Sequence, residues 1–134
     1  MESNLNPYES ERAVIGLLLK YPDKIFEVDS LRPEMFSNAS FRAMFGYIKK
    51  LAIDEGIPLN SLALEEYLRS SGKLDEVGGK ETIKFVSSTE ANISGYSIFE
   101  KNVLDSYMAR TLQELTNRVP TSHLRWSVNA KTGL

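Results

Sequence analysis

The chain has 134 residues, of which 42% are hydrophobic and 25% are charged; its formal net charge is −2 and it contains no cysteine. This length and composition fit one globular domain with an ordinary hydrophobic core. The missing cysteines exclude disulfides, thiol catalysis and cysteine-based zinc sites. A mildly acidic chain also lacks the concentrated positive charge with which duplex-binding domains neutralise phosphates. Its body is therefore not expected to bind nucleic acid directly.

The N-terminal residues have neither a basic start nor a long apolar run, so we do not expect a signal peptide. The longest apolar stretch, residues 13–19, is interrupted by Gly16 and is too short to span a bilayer. These features predict a soluble, cytoplasmic protein with no membrane partner.

The first predicted helix begins at Pro7, with Asn6 as its cap and Glu9 three residues after that cap. Pro22 ends it, and a short helical turn is predicted over residues 23–28. The helix carries one wide apolar face, which predicts burial on most sides. The face consists of Ala13, Val14, Leu17, Leu18 and Tyr21, flanked by Ile15 and Leu19.

Residues 31–36 are predicted to be an extended connector, because the residue before Pro33 is disfavoured in a helix. A second helix is then predicted from Ser37 or Asn38. Its apolar residues recur at helical spacing and predict the central element of the core. They are Phe41, Met44, Phe45, Ile48 and Ala52, with Leu51 beside them, whereas Arg42, Lys49 and Lys50 are expected to face away.

A third helix is predicted from a cap at Asn60 or Ser61 to about Ser71, and Gly72 is placed as its left-handed stop. A compact turn over residues 73–79 and a short helix follow. The expected apolar contacts are Leu62, Leu64, Tyr67 and Leu68 in the third helix, Leu74 and Val77 in the turn, and Ile83, Phe85 and Val86 in the short helix.

The last predicted helix starts at a cap on Ser94 or Gly95, runs to about Asn117 and carries two apolar stripes. The first is formed by Tyr96, Phe99, Val103 and Tyr107. The second, rotated around the helix from the first, is formed by Leu104, Met108, Leu112 and Leu115. Either both stripes are buried within the domain, or the first seals the domain and the second contacts a partner. We therefore take the second stripe as a candidate protein interface.

After the helical part, which we place at residues 1–117, residues 118–134 are polar, lack helical periodicity and contain no acidic residue. They are predicted to be a linker. Trp126, next to Arg125, is too apolar for a free linker. It is expected to fold back on the domain, to dock on a partner as an aromatic anchor, or to stack on single-stranded bases, in that order of preference.

The sequence offers no candidate for catalysis, cofactor binding or metal binding. It contains no G-x-x-x-x-G-K-[ST] phosphate-binding loop, and the run Gly78-Gly79-Lys80 is interpreted as a turn. His123, the only histidine, has no partner at motif spacing. The paired acids Glu65-Glu66 and Asp75-Glu76 are expected to be solvated surface residues.

Several passages resemble the N-terminal domain of DnaB-type replicative DNA helicases. Residues 9–19, ESERAVIGLLL, resemble the family's E-A-E-x-x-V-L-G-x-L-L opening. Residues 31–36 and 41–45, LRPEMF and FRAMF, are similar to its L-x-P-x-D-F and H-R-x-I-F, with Phe41 in place of the usual histidine. Residues 72–79, GKLDEVGG, match its G-x-L-x-x-x-G-G turn. No single passage is specific, but together they keep the family's order and spacing.

The resemblance implies an all-α fold, a compact bundle of about five to six helices that ends in the long C-terminal helix and a polar tail. It implies a non-catalytic domain that assembles with copies of itself into a hexameric ring and contacts primase and a helicase loader. Residues 131–134, KTGL, look like the entry to the family's ATPase domain. ATP, Mg²⁺ and DNA would then be bound by that motor domain, and the enzyme would be the parent helicase rather than this chain.

One departure from the family weakens part of this expectation. In the family, a second helix follows the last long helix, and the resulting hairpin pairs subunits and contacts primase. Pro120 and the polar residues after it predict no such second helix here. The alternative reading is a stand-alone adaptor that binds a helicase, or the helicase-binding domain of a primase, with a related fold.

Overall fold

A computed structural model describes residues 7–118, and within this range the fold is all-α with no strand. The α-helices are α1 (Tyr8–Lys20), α2 (Ala39–Glu55), α3 (Ser61–Ser70), α4 (Gly79–Ser87) and α5 (Tyr96–Arg118). Short 3-10 helices cover Pro22–Glu27, Pro33–Met35, Leu74–Val77 and Ile93–Gly95. The predicted all-α fold with a long C-terminal helix is confirmed. No helix in the described part is long and apolar enough to cross a membrane.

Helix α1 is buried on most sides, as its wide apolar face predicts, and it packs against α5, α4 and α2. Tyr21 is predicted as part of that face, but it follows the last residue of α1 and is 48% exposed. Gly16 allows the contact with α4, because a Cβ atom on Gly16 would overlap the carbonyl oxygen of Val86. Pro7 is the N-terminal cap residue and contributes no side-chain hydrogen bond. The predicted cap, Asn6, lies outside the described residues.

Helix α2 is the central core element that the sequence predicts. Asn38 caps it by accepting a hydrogen bond from the backbone N–H of Phe41 at 3.0 Å. The predicted extended connector before it is wrong in part, because Pro33–Met35 forms a 3-10 turn. Lys49 also does not simply face away, since its ammonium donates to the carbonyl of Leu31 at 2.9 Å. All six predicted core residues of α2 are buried: Phe41, Met44, Phe45, Ile48, Leu51 and Ala52.

Helices α3 and α4 cover one side of the core. Asn60, one of the two predicted caps, caps α3, and Gly72 follows the helix with a φ of 72°, as predicted. Of the predicted apolar contacts, that of Leu62 is wrong and that of Phe85, whose ring lies 6.2 Å from the ring of Tyr8, is only partial. Leu62 is 66% exposed because it lies on the outer face of α3, and Phe85 keeps 38% of its surface exposed while Arg12 stacks on its ring at 3.8 Å.

Candidate protein-interaction site

The first stripe of α5 seals the domain. Tyr96 and Val103 are buried, and Phe99 and Tyr107 are half-buried against the core. This side of α5 packs mainly on α1, and Asn102 adds a hydrogen bond to the hydroxyl of Ser10 at 3.1 Å. The predicted sealing role of the first stripe is therefore confirmed.

The second stripe lies largely on the opposite side of the helix. Met108, Leu112 and Leu115 are 60%, 63% and 49% exposed, whereas Leu104 is half-buried and touches the core. At 3.6 residues per turn, the centre of this stripe lies about 140° around the helix from Val103. We call these four residues the apolar stripe. The exposure of Met108, Leu112 and Leu115 excludes the alternative in which the domain buries both stripes of α5 completely.

The end of α5 extends beyond the globule. All residues from 112 to 118 are exposed, whichever side of the helix they occupy. Near this end, Arg110 ties α5 to the rest of the domain by donating from Nη2 to the carbonyl of Met35 at 3.1 Å. Three members of the apolar stripe, Met108, Leu112 and Leu115, are thus exposed, whereas Leu104 packs against the core. Trp126, the remaining predicted interface residue, lies outside the described residues.

A groove of about 360 Å³ runs beside the same turns of α5. It separates α5 from the 3-10 turn Pro33–Met35 and the start of α2. Arg32 donates to Glu34 at 2.7 Å, and this hydrogen bond lowers the pKa of Glu34. The groove is lined by Glu34, Phe36, Ser37, Arg42, Tyr107, Arg110, Thr111 and Glu114.

Three of the paired acidic residues, Glu65, Glu66 and Glu76, form ion pairs or hydrogen bonds on the surface of the domain. Both Glu65 and Glu66 bind Arg69 on the surface of α3. Glu76 accepts a hydrogen bond from the hydroxyl of Tyr47 at 2.5 Å, which raises the pKa of Tyr47 to about 12. Within residues 7–118, no group of three or more acidic, histidine or cysteine side chains could hold a metal ion.

The glycines after Val77 form a turn. Gly78 and Gly79 have φ values of 89° and 81°, a conformation that favours glycine. A Cβ atom on Gly78 would also overlap the hydroxyl of Thr82. These two observations account for the glycine pair without a bound phosphate.

Glu11 is the most important polar residue that the sequence reading passed over. It is fully buried, and its carboxylate accepts hydrogen bonds from the N–H and hydroxyl of Ser37 at 2.7 and 2.8 Å and from the N–H of Asn38 at 3.2 Å. A carboxylate at this position satisfies backbone donors that precede α2 and complements the positive end of the helix dipole. Glu11, the second glutamate of the Glu9-Ser10-Glu11 opening, therefore stabilises the fold by joining α1 to the start of α2.

These features define the class: an all-helical domain with exposed apolar side chains near the end of its last helix. The family model described as DnaB-like helicase N terminal domain matches residues 3–99, well over half of the chain. The chain belongs to this family, as the sequence resemblance predicts. The match ends at residue 99, so most of α5 and the apolar stripe lie beyond it. No curated protein matched the chain.

Proposed function

We propose that this chain is the non-catalytic assembly and protein-interaction domain of a replicative DNA helicase, and that its apolar stripe binds a second copy of the chain. Family membership supports the helicase context. The observation that carries the assembly role is the exposure of Met108, Leu112 and Leu115 on a helix end that projects from the globule.

The spacing of the stripe suits a helical partner. Positions 108, 112 and 115 follow the i, i+4, i+7 pattern by which an amphipathic helix buries its apolar face on another element. Burying a fully exposed side chain of this size contributes about 1.5–3 kcal/mol, and these three are 49–63% exposed, so each would contribute about half of that. Two copies would together bury six of them, which can offset the several kcal/mol that association costs in lost freedom.

In this proposal, other partners act through the assembled ring. Primase and a helicase loader are the protein partners that the domain would contact. ATP, Mg²⁺ and DNA would be handled by a motor domain of the parent helicase, since this sequence contains no phosphate-binding loop.

The substitution Leu112→Glu tests the assembly role. It places a charge in the middle of the stripe, where burial against a partner would desolvate it. We expect the apparent mass in sedimentation velocity to fall to that of a monomer. Helicity and melting temperature should change little, because Leu112 is 63% exposed.

Leu62→Glu provides the matched control. Leu62 is 66% exposed on α3, so the same chemical change occurs at a similar exposure on another helix. It should leave both mass and melting temperature unchanged. Loss of folding in Leu112→Glu, or a monomeric mass for the unaltered chain, would contradict self-association through the stripe.

A further inference from the structure

The apolar stripe lies next to the point where the chain leaves α5. Leu115 is close to Arg118, the last residue of the helix, and Pro120 disfavours a helical conformation at the residue between them. At 1.5 Å per residue, Met108 lies about 15 Å back along the helix from Arg118. A segment that reversed direction after Arg118 would therefore run beside the stripe.

The sequence after α5 contains a short segment with the right pattern to cover a helix face. In residues 124–128, LRWSV, the apolar residues Leu124, Trp126 and Val128 alternate with polar ones. An extended backbone directs every second side chain to the same face, so these three would share one face. We call residues 124–128 the tail segment.

The dimensions of the two surfaces match. An extended tail segment spans about 13 Å from Leu124 to Val128, and the exposed part of the stripe spans about 11 Å from Met108 to Leu115. Residues 119–126, fully extended, cover up to about 26 Å. Trp126 can therefore reach Met108, Leu112 and Leu115 even when several residues are used to reverse the chain.

The charge distribution also favours contact between the tail segment and its own domain. All 18 acidic residues of the chain precede residue 119, whereas the residues after it include Arg125 and Lys131 and no acidic residue. Glu114 is exposed near the end of α5, beside Leu115. A basic segment is therefore attracted to an acidic body that it must remain close to.

Covalent attachment gives the tail segment an advantage over any separate molecule. A segment joined to its site by a short flexible linker is present at an effective concentration of the order of millimolar. Trp126 offers the largest apolar side chain in this part of the sequence, and a tryptophan can bury about 150–250 Å². Its contact with the stripe adds apolar burial without the loss of freedom that binding a second molecule costs.

We propose that the tail segment lies along the apolar stripe of its own chain, with Trp126 against Leu112, and that this contact inhibits self-association. The inhibition rests on the proposed function, because it requires a second copy that binds the same residues. When the stripe is free in about one molecule in ten, its apparent affinity falls about tenfold for each copy that must be uncovered.

Tryptophan fluorescence of the full chain tests the contact, because Trp126 is the only tryptophan. Emission is measured at a concentration where sedimentation velocity shows a monomer. We expect a maximum at shorter wavelength than that of N-acetyltryptophanamide, and Leu112→Glu should move it to the wavelength of the free amide. Leu62→Glu, at similar exposure on α3, is the matched control and should leave the maximum unchanged.

The regulatory role is tested by the strength of self-association. Trp126→Ser removes the contact and should lower the dissociation constant of self-association at least about tenfold, as measured by sedimentation velocity over a concentration series. Trp126→Phe keeps an apolar ring and should stay close to the unaltered chain. Weaker self-association in Trp126→Ser would instead make Trp126 part of the contact between copies and would overturn the inhibition.

Three fluorescence results would overturn the contact itself. A maximum equal to that of the free amide would show that Trp126 is not covered. A short-wavelength maximum that Leu112→Glu leaves unchanged would place Trp126 on another surface, and one that appears only as the concentration rises would place it on a second copy. A chain that stays monomeric at every concentration contradicts the proposed function, whereas the emission of that monomer still decides whether the tail segment covers the stripe.

Discussion

The two halves of α5 are stabilised in different ways. Residues 96–107, YSIFEKNVLDSY, include aromatic, β-branched and short polar residues that have modest helix propensity. Residues 108–118, MARTLQELTNR, contain more of the strong helix formers Ala, Leu, Met, Gln, Glu and Arg. The first half packs against α1, whereas the second half is half-buried at residues 109–111 and exposed from residue 112 onward. Tertiary packing therefore supports the half with weak propensity, and local preference supports the half that projects.

The projecting half of α5 does not need its exposed apolar side chains to remain helical. Polar residues with good helix propensity at positions 108, 112 and 115 would keep the projecting helix without exposing apolar surface. Large apolar residues there are only partly covered in the described monomer, at 49–63% exposure. The self-association proposed above would account for their presence.

The largest expected effect comes from placing a charge in the packed half. Val103 is fully buried between α5 and the core. Val103→Asp would bury a carboxylate without a partner, and such substitutions cost more than about 4 kcal/mol. We expect urea denaturation followed by circular dichroism to show this loss, which is a large share of the about 5–15 kcal/mol by which domains of this size are stable.

Introducing an aspartate into the projecting half of α5 should have a much smaller effect. Leu115 is 49% exposed, so Leu115→Asp should alter the free energy of unfolding by no more than about 0.5 kcal/mol. The measurement is urea denaturation at a concentration where the chain is monomeric. A loss of several kcal/mol at both positions would show that the end of α5 belongs to the cooperative core.

A substitution at the start of α5 is expected to raise the free energy of unfolding, by less than Val103→Asp lowers it. The hydroxyl of Tyr96 is buried without a hydrogen-bond partner among the described residues, and burial raises its pKa. Tyr96→Phe removes the unsatisfied group and keeps the ring, including its contact with Lys24 at 5.0 Å. We expect a gain of about 1 kcal/mol in the free energy of unfolding.

Tyr107→Phe is the control for this change. Tyr107 lies on the same stripe but is half-buried and interacts with Arg32, so loss of its hydroxyl should stabilise nothing. Denaturation midpoints of the two variants give the comparison directly. If Tyr96→Phe is the less stable of the two, the Tyr96 hydroxyl has an acceptor in solution.

Most of the fold could be predicted because its signals are local. The cap at Asn38, the core spacing of α2, the cap at Asn60 and the left-handed Gly72 each depend on a few neighbouring residues, and all are present. The errors arise where distant contacts decide. The exposure of Leu62 and the 3-10 turn after Arg32 depend on which side of an element the globule covers.

The candidate site was predictable only in part for the same reason. Residue spacing shows that the apolar stripe and the stripe containing Val103 lie on different sides of α5. It does not show which of the two sides packs against the core. The Arg42–Arg110 groove joins residues that are far apart in the chain, and no motif relates them. Glu11 looks like an ordinary first-turn acid until its contacts with Ser37 and Asn38 are seen.

The smallest expected effect concerns Glu100, in the packed half of α5. Burial raises the pKa of its carboxyl above the ordinary 4.5; Lys24 opposes this shift and Asp29 adds to it. A raised pKa means that the folded chain binds the proton more tightly than the unfolded chain. The stability that Glu100 contributes is therefore full below its ordinary pKa and is lost as the pH rises through the folded value.

Glu100→Gln should therefore be more stable than the unaltered chain at neutral pH, and this advantage should disappear as the pH falls through the raised pKa of Glu100. Urea denaturation at a series of pH values measures it. Glu114→Gln removes the same charge from the projecting half, where the side chain is exposed, and controls for the change in net charge. An equal gain in both variants would assign the effect to net charge. A gain confined to Glu100→Gln would show that burial along the packed half, and not the charge of the helix as a whole, sets the energetic difference between the two halves.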